Sequence, residues 1–304
     1  MLSLRGVHKS FGAHRALRDV SFDVARGRLT GFVGGNGAGK TTTMRIVLGV
    51  LSSDGGDVTL DGAPVTGDSL RSFGYMPEER GLYPKMEISE QLAYLARLHG
   101  IDKAAATKRA DDLLDRLGLA ERRKSRLEEL SLGNQQRVQV AAALVHDPDV
   151  LIMDEPFSGL DPLAVDEVVT VIAEHAARGI PVLFSSHQLD VVERLCDDLV
   201  IIAGGEIRAA GSREELRAAH HGDRYELETT TDAGWVRAVP GVVVDELAAG
   251  TVVFRSDKAT AEGVLRTAVG HGGVNAFRPL QPTLGEIFRE IVVDSPTTNE
   301  EDAA

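Results

Sequence analysis

Hydrophobic residues along this chain fall into short unbroken runs that alternate with longer stretches of helical periodicity. The runs at residues 150–153, 181–185 and 200–203 are largely apolar, and each is followed by polar or small residues. Strands that are covered by helices on both faces of a parallel sheet have this composition. The pattern therefore predicts a parallel core sheet, with polar side chains at the strand ends where ligands bind in such sheets.

Other patterns predict the elements around this sheet. Residues 1 to about 30 alternate as antiparallel strands do, and residues 57–75 add short strands with Asp61-Gly62 as a hairpin signal. The sequence also predicts helices near residues 89–99, 104–117 and 133–145. We therefore expect an α/β domain that contains a parallel core sheet, an antiparallel β subdomain and an α-helical subdomain.

The character of the chain changes near residue 220. Strands are predicted at residues 224–230, 242–247 and 251–255, and helices at 259–269 and 284–293. We predict a first domain over residues 1–219, a small C-terminal α+β accessory domain over 220–293, and a tail over 294–304. The tail is acidic and polar, so we expect it to be disordered.

Composition and charge narrow the possible classes of protein. The chain has 33 basic and 46 acidic residues, and its formal charge of −13 argues against nucleic acid as a partner. Its single cysteine, Cys196, excludes an intrachain disulfide and favours a reducing compartment. The sequence contains no apolar stretch of the roughly 20 residues that span a bilayer, and its N-terminus lacks the apolar region of a signal peptide. We therefore expect a soluble chain that reaches a membrane only through a partner.

A glycine-rich segment between a predicted strand and a predicted helix indicates phosphate binding. Residues 34–42 read GGNGAGKTT and match the pattern G-x-x-x-x-G-K-[ST]. The glycines let several backbone N–H groups point at one phosphate chain, and the following helix presents its N-terminus to the anion. Lys40 is expected to reach the β- and γ-phosphates, and the Thr41 hydroxyl to bind Mg²⁺. The segment comprises Gly34, Gly35, Asn36, Gly37, Ala38, Gly39, Lys40, Thr41 and Thr42.

A second group of candidate residues lies farther along the chain. Asp154 and Glu155 follow the apolar run at 150–153, where one carboxylate can hold Mg²⁺ and the other can activate water. Ser131 and Asp161 each precede a predicted helix, so each could be an N-cap, and Ser131 could instead bind a phosphate there. His187 follows the run VLFSS and is a candidate for contact with a γ-phosphate.

These motifs, in this order and at these spacings, resemble the ATP-binding subunit of an ABC transporter over residues 1 to about 215. The resemblance implies a P-loop ABC ATPase that uses ATP and Mg²⁺, with residues 34–42 as its Walker A loop. It implies that Asp154 is the Walker B aspartate, Glu155 the catalytic base and His187 the switch histidine, and that Phe11 stacks on adenine. The family's signature would be residues 130–135 and its D-loop residues 158–161. The nucleotide-binding residues in these two motifs would be Ser131, Gly133, Asn134, Gln135 and Asp161.

The same resemblance implies how the protein works. Two copies would pair head-to-tail around two ATP molecules and energise export through a separate integral-membrane permease, at the cytoplasmic face of the cell membrane. Residues 281–292, QPTLGEIFREIV, resemble the C-terminal motif of a bacterial drug- or sodium-exporter subgroup. One alternative is an ABC-type ATPase without a permease, acting in translation or DNA maintenance. Another is a regulator whose C-terminal domain senses a ligand.

The sequence departs from the family pattern at two motifs. In the signature, Leu132 replaces a common glycine and Asn134 intervenes before Gln135. In the Q-loop, Glu78 stands where glutamine is usual. A carboxylate is a hard oxygen ligand, so we expect Glu78 to contact Mg²⁺. The alternative is that Glu78 only forms an ion pair with Arg80 or another surface charge.

Overall fold

The computed structural model describes residues 1–79, 81–219, 224–248 and 250–293, and the chain divides into two compact units. Among the described residues, unit 1 comprises Met1–Arg213 and residues 291–293, and unit 2 comprises Glu214–Glu290. The predicted boundary at residues 219 and 220 stays a prediction. Residues 220–223 and the tail predicted at 294–304 lie outside the described residues.

Unit 1 contains two sheets and most of the helices. Its strands are β1 (Leu2–Phe11), β2 (His14–Val24), β3 (Leu29–Val33), β4 (Gly55–Leu60), β5 (Ala63–Pro64), β6 (Phe73–Met76), β7 (Val150–Met153), β8 (Val182–Ser186), β9 (Asp198–Ala203) and β10 (Glu206–Ser212). The helices are α1 (Lys40–Val47), α2 (Ile88–Leu98), α3 (Lys103–Arg116), α4 (Leu132–Leu144), α5 (Pro162–Ala177), α6 (Leu189–Leu195) and, at the division between the units, α7 (Arg213–Ala219).

The central sheet has the strand order β10-β9-β3-β8-β7-β6. Strands β9 to β6 are parallel, and β10 pairs antiparallel at one edge. The three apolar runs of the sequence form β7, β8 and β9, which confirms the predicted parallel core sheet. Because parallel strands end at one edge, the segments that follow β3, β6, β7 and β8 all lie at the same edge of this sheet.

The antiparallel sheet has the order β2-β1-β4-β5 and confirms the predicted β subdomain. Asp61 and Gly62 connect β4 to β5 with φ of +51° and +81°, which is the conformation of a tight hairpin turn. The prediction placed residues 57–75 together, but Phe73–Met76 instead pairs in parallel with β7 in the central sheet. Burial explains the difference, because Phe73, Gly74 and Met76 are buried and Gly74 lies against the Ala143 carbonyl of α4.

A continuous hydrophobic core joins the two sheets of unit 1. It holds side chains of β1 and β2, of the central strands and of α1. Within the described ranges, no helix combines the length and the apolarity that a membrane crossing requires. The buried members of the core include Leu4, Phe22, Phe32, Met44, Ile152 and Ile202.

Unit 2 is a small α+β unit built on one antiparallel sheet. Its elements are β11 (Arg224–Thr229), β12 (Val243–Ala248), β13 (Thr251–Arg255), α8 (Lys258–Gly270), β14 (Val274–Pro279) and α9 (Leu284–Val293), and its strand order is β12-β13-β11-β14. The last residues of α9, 291–293, are grouped with unit 1. Leu227, Phe254 and Val264 are buried in its core. Strand β14 was not predicted, since VNAFRP includes asparagine, arginine and proline, which are uncommon in strands. Pairing with β11, where Phe277 faces Leu227, places it in the sheet.

Candidate active site

The loop between β3 and α1 has the backbone that a phosphate cradle requires. Gly39 adopts φ of +110°, and a Cβ there would lie 2.6 Å from the Leu17 Cδ2 atom. A Cβ on Gly34 would lie 2.5 Å from the carbonyl oxygen of Ile202. Both positions therefore accept only glycine, for reasons of backbone conformation at Gly39 and of close packing at both.

Lys40 begins α1 and is 9% exposed. Its ammonium donates hydrogen bonds of 2.7 Å to the Gly34 carbonyl and 3.2 Å to the Gly35 carbonyl. A buried ammonium needs such partners, because desolvation without them is costly. The lysine thus spans the glycine loop from its last residue back to its first, and its charge lies against the inside of the loop.

The phosphate loop opens into a cavity of about 620 Å³. This volume is in the range of small-molecule sites. The cavity brings together predicted site residues from five segments of the chain, including the loop and the segments that follow β6, β7 and β8. It is lined by Phe11, His14, Ala16, Gly35, Asn36, Gly37, Ala38, Gly39, Lys40, Thr41, Thr42, Glu78, Asp154, Glu155 and His187.

Asp154 lies at the end of β7 and is 2% exposed. The Thr41 hydroxyl donates a hydrogen bond of 2.9 Å to its Oδ2 atom. The Ser185 hydroxyl donates to its Oδ1 atom at 2.5 Å. Both carboxylate oxygens therefore have a fixed direction, and Asp154 is held next to the hydroxyl with which it is predicted to share a metal.

Glu155 follows at once and has an unusual backbone. Its φ of +52° lies in the left-handed region that residues with a side chain rarely adopt. Its N–H donates a hydrogen bond of 2.9 Å to Ser185 Oγ. Its carbonyl accepts a hydrogen bond of 2.9 Å from Gln136 Nε2. Its Oε2 atom lies 2.9 Å from Nδ1 of His187, whose side chain is 58% exposed. The Glu155 carboxylate is thereby turned toward the exposed imidazole at the cavity.

One residue that lines the cavity is aromatic. Phe11 is half exposed and pairs with His14 across the turn between β1 and β2. The Lys9 ammonium lies 5.7 Å from the centroid of the Phe11 ring. An exposed ring in this position can stack on a nucleobase. Glu78 is also exposed and lines the cavity, while Arg80, its predicted alternative partner, lies outside the described residues.

The signature residues lie elsewhere in unit 1. The Ser131 hydroxyl caps α4 by accepting a bond of 3.3 Å from the Asn134 N–H, and Asp161 caps α5 in the same manner at Ala164. A Cβ on Gly133 would lie 3.2 Å from the Gly159 carbonyl, so the starts of the two helices are neighbours. The predicted site residues that do not line the cavity of their own chain are Gly34, Ser131, Gly133, Asn134, Gln135 and Asp161.

Sequence reasoning missed four residues that the structure brings to the site, namely Ser185, Gln136, His14 and Ala16. Ser185 carried a usable signal, since it is a polar residue inside a run that was predicted to be a buried strand. Gln136 carried no such signal, because a glutamine within a predicted helix is usually an exposed residue without a role in a site. His14 could be placed only once the hairpin with Phe11 was known.

The residues present fit a magnesium nucleotide. Thr41, Asp154 and Glu78 offer hydroxyl and carboxylate oxygens, which are the ligands that Mg²⁺ prefers. Across the described residues, no cluster of three or more His, Cys, Asp or Glu side chains could hold a metal. The chain would therefore supply only part of the coordination shell, as is usual where phosphate oxygens and waters complete it.

Comparison with known proteins gives consistent matches. The ABC transporter family matches residues 17–158, and the C-terminal domain family of DrrA1-3-like ATP-binding proteins matches residues 211–292. The uncharacterized ABC transporter ATP-binding protein YhaQ of Bacillus subtilis is 36% identical over 293 residues, which cover 96% of this chain and 98% of that protein. Nod factor export ATP-binding protein I of Ralstonia nicotianae is 37% identical over 219 residues, with 71% and 68% covered. A solved ATP-binding subunit of an ABC transporter superposes with a TM-score of 0.67 at 33% identity, covering 72% of this chain and 93% of that one.

Proposed function

This chain belongs to the ATP-binding proteins of ABC transporters, and on that premise we propose how its residues use ATP to energise transport. It is an ATPase, and as a transporter subunit it works with a membrane partner. One observation carries the proposal: the phosphate loop, Asp154, Glu155 and His187 converge on one cavity of about 620 Å³.

Binding of the nucleotide uses the phosphate loop and the aromatic ring of Phe11. The backbone of residues 35–39 cradles the phosphates, and the Lys40 ammonium moves from its loop carbonyls to the phosphate oxygens. Phe11 stacks on the adenine. Thr41, Asp154 and Glu78 would hold Mg²⁺, which would neutralise charge on the phosphates.

Hydrolysis uses the two residues that follow β7 and β8. The Glu155 carboxylate orients a water molecule and accepts its proton, because it is the carboxylate next to Asp154 that does not contact Thr41. His187 holds the Glu155 carboxylate through Nδ1 and presents the rest of its exposed ring to the γ-phosphate. Catalysis then consists of positioning and charge neutralisation.

The active unit is a head-to-tail homodimer. The N-termini of α4 and α5 carry the signature and the D-loop and do not line the cavity of their own chain. Leu132, at the first position of α4, is 61% exposed. In the pair, Ser131, Gly133, Asn134, Gln135 and Asp161 of each copy face the nucleotide held by the other, and two ATP molecules lie between the copies.

The partner is a separate integral-membrane permease, and the transport direction is export. A relative named for Nod factor export supports this direction. A second cavity of about 280 Å³ is lined by Tyr75, Leu82 and Leu95. Pro77 and Leu82 line this second cavity, and Glu78 lines the nucleotide cavity, so the same segment of the chain contributes to both cavities. We assign the permease contact to the second cavity, where the helical subdomain passes its motion to the permease.

The remaining assignments follow from this function. The chain acts at the cytoplasmic face of the cell membrane through its permease, and its charge of −13 disfavours nucleic acid. The alternative of an ABC-type ATPase without a permease is not favoured, since the matched relatives are transporter proteins. Residues 1–219 form the ATPase domain and residues 220–293 an accessory domain.

Replacement of the proposed base tests this function. Glu155→Gln keeps the shape of the side chain and removes its basicity, so it should bind Mg-ATP and lose about 100-fold or more in turnover. Size-exclusion chromatography in ATP should show an accumulated dimer. Glu121→Gln makes the same change on an exposed residue away from the cavity and serves as control. Turnover of Glu155→Gln within a few-fold of the parent would exclude the assigned chemistry.

A further inference from the structure

We propose that Ser185, together with Gln136, is a positioning residue that sets the places of the metal-binding and catalytic carboxylates. The inference rests on the proposed function, because it takes Asp154 as the metal ligand and Glu155 as the base. It concerns two residues that the motifs of the sequence did not identify.

The Ser185 hydroxyl lies between the two acids. It donates its only proton to Asp154 Oδ1 and accepts the N–H of Glu155 at 2.9 Å. A serine hydroxyl has one donor and two acceptor positions, so both contacts can form at once. Ser185 is fully buried, and water does not reach it to replace either bond. One side chain on β8 thus orients both residues that follow β7.

The backbone of Glu155 explains why such a contact is needed. At φ of +52° the residue is held in a sparsely populated conformation, which persists only where the surroundings determine it. The Ser185 bond fixes its N–H and the Gln136 bond fixes its carbonyl. With both peptide groups tied, the side chain leaves the backbone in the direction of His187.

The two contacts also connect Glu155 to different parts of unit 1. Ser185 belongs to the central sheet, whereas Gln136 belongs to α4, the helix that Ser131 caps. A displacement of α4 therefore acts on the Glu155 peptide through the Gln136 hydrogen bond. Ser185 meanwhile keeps the Asp154 carboxylate in position beside the Thr41 hydroxyl. The pair sets where the base stands relative to the metal ligand.

Ser185→Ala tests the proposal with a readout that needs no nucleotide. Hydrogen exchange of the Glu155 amide in the nucleotide-free protein should become about tenfold faster, since this amide loses its acceptor. The kcat for ATP should fall by about tenfold or more, and the KM for Mg-ATP should stay within about threefold. Gln136→Met, which removes the other bond, should lower kcat in the same direction.

Thr30→Val is the matched control. Thr30 is a fully buried residue on β3 of the same sheet, and its hydroxyl has no hydrogen-bond partner in the part of the chain that the structure describes. Removing this hydroxyl should leave the exchange of the Glu155 amide and kcat within about twofold of the parent. If Thr30→Val and Ser185→Ala lose kcat and amide protection equally, the effect of Ser185 is one of general packing, and the proposal is overturned.

The remaining outcomes of these measurements also decide whether Ser185 has a positioning role. Parental exchange or parental kcat in Ser185→Ala overturns the positioning role. If Ser185→Ala does not fold, Ser185→Cys keeps the volume with a weaker donor and should give intermediate exchange and kcat, and parental values there count against the role. If Glu155→Gln is inactive and Ser185→Ala is not, only this inference fails. A fully active Glu155→Gln would instead refute the proposed function.

Discussion

The Nδ1 atom of His187 lies 2.9 Å from the Oε2 atom of Glu155. The two residues follow β8 and β7, which are adjacent parallel strands, so their contact results from strand pairing. An exposed imidazole and a mostly buried carboxylate meet there at the edge of the cavity. The contact restrains the carboxylate and leaves the other side of the ring available to a ligand.

We expect His187→Ala to lower turnover by about 10- to 100-fold, because the Glu155 carboxylate loses its restraint and the γ-phosphate loses a contact. The affinity for ATP should change little, since the phosphate loop is intact. Steady-state ATPase assays and nucleotide titrations measure the two effects. His8→Ala, an exposed histidine on β1, is the control. A loss of ATP affinity equal to the loss of turnover would contradict the assigned role.

Lys40→Met should abolish turnover and remove most of the affinity for ATP. The methionine fills the nearly buried site, so the packing is kept. It removes the positive charge that would neutralise the phosphates, so the electrostatic attraction to the nucleotide is lost. Isothermal titration with Mg-ATP measures the affinity. Lys103→Met changes an exposed lysine that also begins a helix, α3, and should bind ATP as the parent does. Parental binding by Lys40→Met would show that the loop assignment is wrong.

Glu78 is expected to contribute to magnesium binding. Glu78→Gln should weaken the dependence on magnesium and preserve some turnover, because an amide oxygen is a neutral ligand. Glu78→Ala should slow turnover strongly. The measurement is the magnesium midpoint of ATPase activity at fixed ATP. Glu79→Ala, a neighbour whose side chain does not line the cavity, is the control. If Glu78→Ala keeps the parental rate and midpoint, the carboxylate has no metal role.

His146 should make the stability of the protein depend on pH. Burial, and secondly the nearby His99, lower its pKa to about 4, and the two rings are stacked with centroids 3.8 Å apart. The ordinary pKa of histidine is about 6.5, so between these values the unfolded chain binds more protons than the folded one. The stabilisation is fully present above about pH 6.5 and is lost as the pH falls toward 4. After allowance for solvent screening, the free energy of unfolding should fall by about 1–2 kcal/mol over this range.

Urea unfolding at several pH values tests this dependence. His146→Gln keeps a donor for the Phe73 carbonyl, which lies 3.2 Å from Nε2 of the histidine, and cannot titrate. Its stability should therefore fall less steeply between pH 6.5 and 4. Part of the decline should remain, because burial also lowers the pKa of His175. An unchanged slope in His146→Gln would show that the buried imidazole does not titrate as expected.

The sequence by itself determined the local chemistry of the site. The Walker A segment requires glycine at Gly34 and Gly39 and places Lys40 at the start of a helix, and such requirements are visible in a few consecutive residues. The apolar runs at 150–153, 181–185 and 200–203 likewise identified buried strands. The carboxylates and the histidine that follow two of these strands could be predicted as site residues, because parallel strands end at a common edge.

Only the tertiary structure decided which partners those residues have. It assigned Phe73–Met76 to the central sheet, added β14 to unit 2, and placed Ser185 between Asp154 and Glu155. Each outcome depends on pairing between segments that are distant in sequence, and the free energy of such pairing comes from burial and hydrogen bonding summed over both segments. A single segment carries no periodicity that specifies its distant partner. The sequence could therefore identify the acids of the site. The contacts that the Ser185 hydroxyl and the Gln136 amide make with them became apparent only in the folded chain.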